Sequence, residues 1–305
     1  MTKNWQQEKE ISNAFWLTLI SKIALKLPRW SVRLLLHPIT FFFLLTAPKK
    51  RQASRHYLTR SLRKKPKIWH IYKHFFWFSS VLLDRIYFFT NKQALFNVSF
   101  SNREKVILSL KQNSAQFFIS GHYGSSEALK SCYSSQVYTI KPVIKLEHNQ
   151  AIVNLFKTLN SEFYENVIPY KGLETTFEIY ETLKDGISVA LLADRPIENA
   201  PTLSVNFLGD QILLPEGIFE MILRFPFPTN IFFSQYQGGN RYRVNYIPLS
   251  IDKGDTALIL AQKFADMLAQ QCLNSPYNWF NFYTYWVEPN HNETFAQEGR
   301  DRKKK

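Results

Sequence analysis

Cysteine is nearly missing from this sequence: Cys132 and Cys272, far apart in the chain, are the two it has. That excludes a disulfide framework or a clustered thiolate site, and it suits free core thiols in a reducing compartment. The glycine-rich and metal-binding signatures are missing too. There is no G-x-G-x-x-G, no P-loop, no H-E-x-x-H and no G-x-S-x-G, which sets aside dinucleotide binding, P-loop chemistry, zincin hydrolysis and a serine nucleophile on an elbow. His122, Glu127, His148 and Asp194 are of ligating type, but no local pair among them has ligand spacing, so no metal is expected. No helix-turn-helix, zinc-finger or RNP pattern occurs, so nucleic acid is not expected as a partner.

Long apolar runs are lacking as well. The charge-free stretches Ile11–Ser21 and Leu34–Pro48 fall short of the roughly 18–20 residues that a spanning helix needs. The N-terminus does not resemble a signal peptide. Glu8 and Glu10 precede the apolar stretch, Lys22 and Lys26 interrupt it, and no small-residue cleavage site follows.

Negative charge is scarce in the first 90 residues. They hold 17 Lys/Arg against Glu8, Glu10 and Asp84, and so account for the whole net charge of +14; residues 91–305 balance 21 basic against 21 acidic residues. Lys22, Lys26, Arg29 and Arg33 share one helical face, with Trp16, Ile20, Ile23 and Leu27 on the other and Pro28 as a bend or restart. The run from Lys49 to Lys67 adds nine cations and no acid, each worth about 1 kcal/mol beside an anionic leaflet. The expectation is an interfacial anchor on an anionic membrane surface, on its cytoplasmic side, without a span. The alternative is a basic helical cap over a catalytic body. Three regions follow: 1–90 basic and amphipathic, 91–290 catalytic, and a basic tail over 291–305.

The body alternates strands and helices, as an α/β layer structure does. Strands are expected over Leu95–Phe100, Phe117–Ile119, Val137–Ile144, Ile187–Leu192 and Thr202–Phe207, with a hairpin over Asn230–Pro248 around Gly238-Gly239-Asn240. Ser101 to Glu104 reads as a capping box opening a helix to Gln112. Further helices are expected over His148–Leu159, Leu173–Lys184, from Pro215-Glu216-Gly217, and over Thr256–Leu273.

One stretch carries chemistry: Phe117-Phe118-Ile119-Ser120-Gly121-His122-Tyr123-Gly124-Ser125-Ser126-Glu127. It reads as a buried strand, a glycine-punctuated turn and the start of a helix, with His122 at the carboxyl end of the strand, where α/β sheets collect ligands. Glu127, turned back from the helix, is expected to hold one imidazole nitrogen and leave the other as a base. With 7 His and 24 acidic residues in the chain, a His-x4-acid spacing is about as common as chance allows, so the pairing rests on this context.

His122-Tyr123-Gly124-Ser125-Ser126-Glu127 resembles the His-x4-Asp/Glu block of the bacterial lauroyl/myristoyl (lipid A late) acyltransferase family, within the glycerolipid acyltransferase superfamily. Four more blocks fall in the family's order. Val189 to Arg195 is similar to its strand ending in Asp; Phe207-Leu208-Gly209-Asp210 and Leu214-Pro215-Glu216-Gly217 are similar to its F-x-G and L-P-x-G segments; Pro276 to Trp286 resembles its closing aromatic stretch. Arg55–Leu62 and Leu83-Asp84-Arg85 resemble the branch of glycolipid and aryl-polyene-cluster acyltransferases. Tyr123 to Ser126 departs from the aromatic-Gly-Asn-Trp of the lipid A enzymes.

The resemblance implies a mixed sheet flanked by helices. It also implies acyl transfer from an acyl-carrier-protein or coenzyme A thioester to a lipid or glycolipid hydroxyl at the inner membrane, with no cofactor beyond the donor. His122 and Glu127 are then the catalytic pair, and Gly124, Lys145, Asp194, Arg195 and Gly217 candidate substrate contacts. Oxyanion donors are sought in the Gly121–Gly124 amides or Arg195. Acyl carrier protein is acidic, so the N-terminal cations would also receive it. The alternatives are a thioesterase using the same pair, with water as acceptor, and a non-catalytic peripheral protein.

Overall fold

A computed structural model of the chain describes residues 21–112, 115–132, 140–145, 157–197 and 199–286. The basic tail, the apolar segment before Ser21 and most of the helix expected over His148–Leu159 lie outside these residues. Residues 21–26 are helical, and Pro28 closes that piece and opens α1 (Arg29–Thr46). Proline suits this position because its fixed φ is already helical and its missing N–H would be unpaired there. Helix α2 (Pro48–Ser61) follows at a bend of 96°. Helix α3 (Ile68–Phe89) then runs into the body.

The body is a seven-stranded mixed sheet in the order β1-β9-β8-β2-β5-β3-β4. Its strands are β1 (Asn97–Ser101), β2 (Phe117–Ser120), β3 (Ile140–Ile144), β4 (Ile168–Pro169), β5 (Ser188–Leu192), β8 (Thr229–Tyr236) and β9 (Arg241–Pro248). All neighbours are parallel except the β8–β9 hairpin, which turns through Gly238 and Gly239 at positive φ. The hairpin of β6 (Thr202–Phe207) and β7 (Asp210–Pro215) forms a separate two-stranded sheet. The helices of the body are α4 (Arg103–Gln112), α5 (Ser161–Glu165), α6 (Leu173–Lys184), α7 (Glu216–Arg224) and α8 (Ala257–Asn274). The expected α/β class, with helices flanking a mixed sheet, is what the chain adopts.

The core explains why β2 is wholly apolar up to Ser120. Phe117 and Ile119 face a cluster with Phe219, Phe264 and Leu268, while Phe118 faces Phe88, Tyr242 and Tyr246 on the other side. A central parallel strand covered on both faces reads as a continuous apolar run for this reason. The second cluster includes Val32 and Leu36 of α1 and Val81 and Leu83 of α3, so hydrophobic packing continues across residue 90.

Two local expectations change. Ser126–Cys132 is a 3-10 helix, not the opening of an α-helix. Ser101 does not cap α4: its hydroxyl bonds Val244 O and Asn245 Oδ1 on β9, because β1 lies parallel to β9 and draws the side chain into the sheet.

Candidate active site

Strands β2 and β5 are parallel neighbours with Ser120 level with Leu192, and Ala193 N donates to Ser120 O at 2.7 Å. Two residues past that level, each strand delivers a functional side chain at the same edge: His122 from β2 and Asp194 from β5. His122 Nδ1 lies 2.7 Å from Asp194 Oδ1, and His122 N donates to Asp194 Oδ2 at 2.9 Å. Trp279 Nε1 donates to the same Oδ2 at 2.9 Å, and Tyr285 OH donates to the Asp194 carbonyl.

Two glycines make this approach feasible. A Cβ on Gly121 would stand 3.1 Å from Asp194 Cβ and Cγ, tighter than side chains usually pack, so a side chain there would press on the carboxylate. Gly124, at φ +61°, would drive a Cβ to 1.6 Å from Ser234 O. The loop between them is stitched to the closing aromatic segment: Phe280 N donates to His122 O and Gly124 N to Asn278 O.

The electrostatics follow from this packing. Burial alone would raise the Asp194 carboxyl, but the charge and hydrogen bonds of His122, with the charge of Arg195, outweigh it and hold it well below the usual carboxylate range. An ionised carboxylate only accepts hydrogen bonds, so Nδ1 carries the proton and Nε2 keeps its lone pair. Burial lowers the His122 pKa, and the Arg195 and Arg85 charges lower it further; Asp194 opposes them without cancelling them. The ring is therefore neutral at pH 7. Its side chain is 33% exposed, against 1% for Asp194.

The partner expected for His122 is therefore corrected: Asp194, 72 residues away, takes the place expected of Glu127. Glu127 is 8% exposed, stands 2.8 Å from Arg85 Nε and accepts from Ser125 Oγ at 2.9 Å. Asp194 is corrected in turn, since a buried carboxylate already holding three donors is a histidine partner and not a substrate contact. The Gly124 N–H is taken up by Asn278 O, and its positive φ shapes the turn.

Arg195 lies beside the pair, donating to Phe280 O at 3.0 Å, with its guanidinium 5.4 Å from the Tyr283 ring. Lys145 follows β3 at the same sheet edge, one strand beyond β5. Gly217, in the first turn of α7, has open space where a Cβ would point; no described contact joins it to His122. Sequence reasoning missed the roles of Trp279, Tyr285 and Arg85. The aromatic density of residues 279–286 was the available signal, but nothing local says which ring reaches Asp194. Among the described residues, no group of three His, Cys, Asp or Glu could hold a metal ion.

A strand-end histidine oriented by a buried aspartate, with no nucleophile elbow, can remove a proton from a hydroxyl or water. No curated protein matches the chain. The family model for bacterial lipid A biosynthesis acyltransferases matches residues 8–287. With nearly the whole chain covered and the expected blocks in order around this histidine, the protein belongs to the bacterial lipid A biosynthesis acyltransferase family.

Proposed function

We propose that the protein moves a fatty acyl chain from an acyl thioester, carried by acyl carrier protein or coenzyme A, to a hydroxyl of a lipid or glycolipid, with His122 as general base. The observation that carries this reading is Asp194, buried and held by three donors, which keeps the proton on Nδ1 and leaves Nε2 basic. Nε2 takes the hydroxyl proton as the oxygen attacks the thioester carbonyl; the C–O bond forms and the carbonyl electron pair moves onto oxygen. Collapse of that adduct breaks the C–S bond, and the departing thiolate recovers the proton from the imidazolium. Asp194 stabilises the imidazolium between the two transfers. An acyl-enzyme is not required, and Cys272, buried with its thiol pushed up by burial, is a poor nucleophile.

The membrane reading gains support from what α1 exposes. Trp30, Leu34, Leu35, Phe41, Phe42 and Leu45 are all exposed, Trp30 at 69%, and Ile68 and Trp69 at the start of α3 join them. Exposed Lys49, Arg55, Arg63, Lys64, Lys65 and Lys67 lie just beyond. An apolar face beside cations suits a helix at a headgroup boundary. The basic stripe divides, however: Lys22 and Lys26 are exposed, whereas Arg29 and Arg33 turn inward to Gly239 O. Among the described residues no single helix is long and apolar enough to cross a membrane. We place the protein on the cytoplasmic face of the inner membrane, as a peripheral or monotopic enzyme.

The test is transfer from a radiolabelled dodecanoyl thioester to extracted membrane lipid by folded wild type and His122→Ala. Loss of about 10²–10⁴ in rate is expected. Near wild-type transfer by the variant would sink the assignment, and fatty acid release without labelled lipid would favour the thioesterase.

A further inference from the structure

Asp194 must aim one oxygen at the imidazole, and a carboxylate turns readily about its Cβ–Cγ bond unless the other oxygen is held. Trp279 supplies that hold. Its indole Nε1 donates to Oδ2 at 2.9 Å, beside the His122 N–H at the same distance. With Oδ2 occupied twice, Oδ1 faces His122 Nδ1 at 2.7 Å. The aim of the pair therefore depends on where the indole sits.

Trp279 is 1% exposed, and aromatic rings pack around it at steep angles. Phe207 and Tyr285, with centroids 5.0 and 4.8 Å away, belong to the catalytic body. Tyr57, also at 5.0 Å and inclined by 71°, comes from α2. The Trp279 backbone is held from the same quarter. His74 of α3 donates from Nε2 to the Trp279 carbonyl at 2.9 Å, and so accepts at Nδ1 from Ser54 Oγ of α2 at 2.8 Å. Ser54 and Tyr57 are three residues apart, so one face of α2 reaches the carbonyl through His74 and the indole directly. Tyr57 is fully buried, and its hydroxyl has no hydrogen-bond partner among the described residues. What it gives Trp279 is the contact of its ring.

We propose that Tyr57 is a positioning residue of the transfer reaction: its ring holds the Trp279 indole against Asp194 Oδ2, and through Asp194 it sets the aim of His122. Ser54 and His74 fix the same tryptophan by its backbone. Without the Tyr57 ring the indole can tilt, its bond to Oδ2 loosens and the carboxylate turns. His122 is then presented less well to the acceptor hydroxyl, although no group that touches substrate has changed. Because the ring is the working part, phenylalanine should serve in its place and an aliphatic side chain should not.

The experiment combines nuclear magnetic resonance of the full chain in detergent with turnover of dodecanoyl-coenzyme A on extracted membrane lipid. The indole N–H resonance of Trp279, assigned by its shift in Asp194→Asn, reads the bond to the carboxylate. Tyr57→Leu is expected to move that resonance upfield, as a weakened hydrogen bond does. It should also lower kcat by about tenfold to 10²-fold with KM nearly unchanged. Tyr57→Phe should match wild type in both. If Tyr57→Leu does not fold, Tyr57→Met carries the same expectation. An unmoved indole resonance, an unchanged kcat or a rise in KM alone would overturn the proposal. So would a loss in Tyr57→Phe equal to that in Tyr57→Leu, which would put the effect on the hydroxyl. This inference rests on His122 as the base. Transfer retained by His122→Ala would sink that assignment, whereas the indole resonance reports separately whether Tyr57 holds Trp279 to Asp194.

Discussion

Asp194 and Glu127 show how a residue's role depends on which strands lie side by side. Both are carboxylates within reach of the β2 loop, yet one holds the imidazole and the other an arginine. Asp194→Asn should leave the fold in place but lose the ionised acceptor that fixes the Nδ1 proton. Its transfer rate is expected to fall by about 10³–10⁴, while Lys145→Ala and Gly217→Ala remain within about tenfold of wild type. Steady-state rates of the three purified variants check this. Because the His122 pKa is depressed, its base form persists below the ordinary 6.5. The acid limb of kcat/KM should lie below that value, activity being lost as pH falls through the folded-state pKa; a limb above 6.5 would contradict the assignment. Gly121, His122 and Gly124 were legible in sequence because strand, turn and histidine are contiguous. The Asp194 partnership was not, because it depends on the register of Ser120 with Leu192, which no local spacing records.

Helices and strands were mostly legible from periodicity, and the exceptions are elements whose partners are distant. Leu173–Lys184 and the β8–β9 hairpin follow from their apolar spacing and turn glycines. The 3-10 geometry of Ser126–Cys132 and the parallel β1–β9 pair depend on tertiary neighbours. Gly124 illustrates an element-level constraint with a measurable cost. Gly124→Ala combines a positive φ with overlap on Ser234 O, and about 3 kcal/mol or more of destabilisation is expected in chemical denaturation.

His74 ties three elements together: Ser54 Oγ of α2 lies 2.8 Å from its Nδ1, and its Nε2 donates to Trp279 O at 2.9 Å. With both nitrogens used and the ring buried, burial lowers its pKa from 6.5 to about 4, against a smaller raising effect of the Trp279 carbonyl. The unfolded chain binds this proton below 6.5 and the folded chain does not, so stability falls as pH drops from 6.5 toward 4. At about 1.36 kcal/mol per pH unit the full effect is about 3 kcal/mol. His74→Gln should flatten that part of the pH–stability curve relative to wild type, read by thermal unfolding across the window.

The molecule as a whole combines an exposed apolar helix, a cationic shoulder and a site at the sheet edge. If the shoulder attracts anionic lipid, charge-neutralising Lys49, Arg55, Arg63, Lys64, Lys65 and Lys67 should weaken vesicle binding, more for anionic than for neutral lipid. Wild type should leave membranes in part at high salt, because exposed charges are screened beyond about 8–10 Å. The Trp30 and Phe41 face should retain the rest. Equal partitioning of the neutralised variant would remove the shoulder from the mechanism, and full resistance to both salt and alkaline washes would indicate a true span.

Arg29 fixes this apparatus to the body. It binds both oxygens of buried Asp84 at 2.8 and 2.7 Å, Tyr242 OH donates to the same carboxylate, and both Arg29 and Arg33 donate to Gly239 O at the hairpin turn. Removing one partner of such a pair strands a buried charge, at a cost of about 3–5 kcal/mol. For protein engineering, the N-terminal helices are thus a poor place to cut. A truncation starting near residue 91 would strip Val32, Leu83 and Phe88 from the face of Phe118 and Tyr242 and leave an aggregating sheet. A soluble catalyst is better sought by recolouring the outside of α1, replacing Trp30, Leu34, Phe41, Phe42 and Leu45 with polar residues while Arg29 keeps its grip on Asp84.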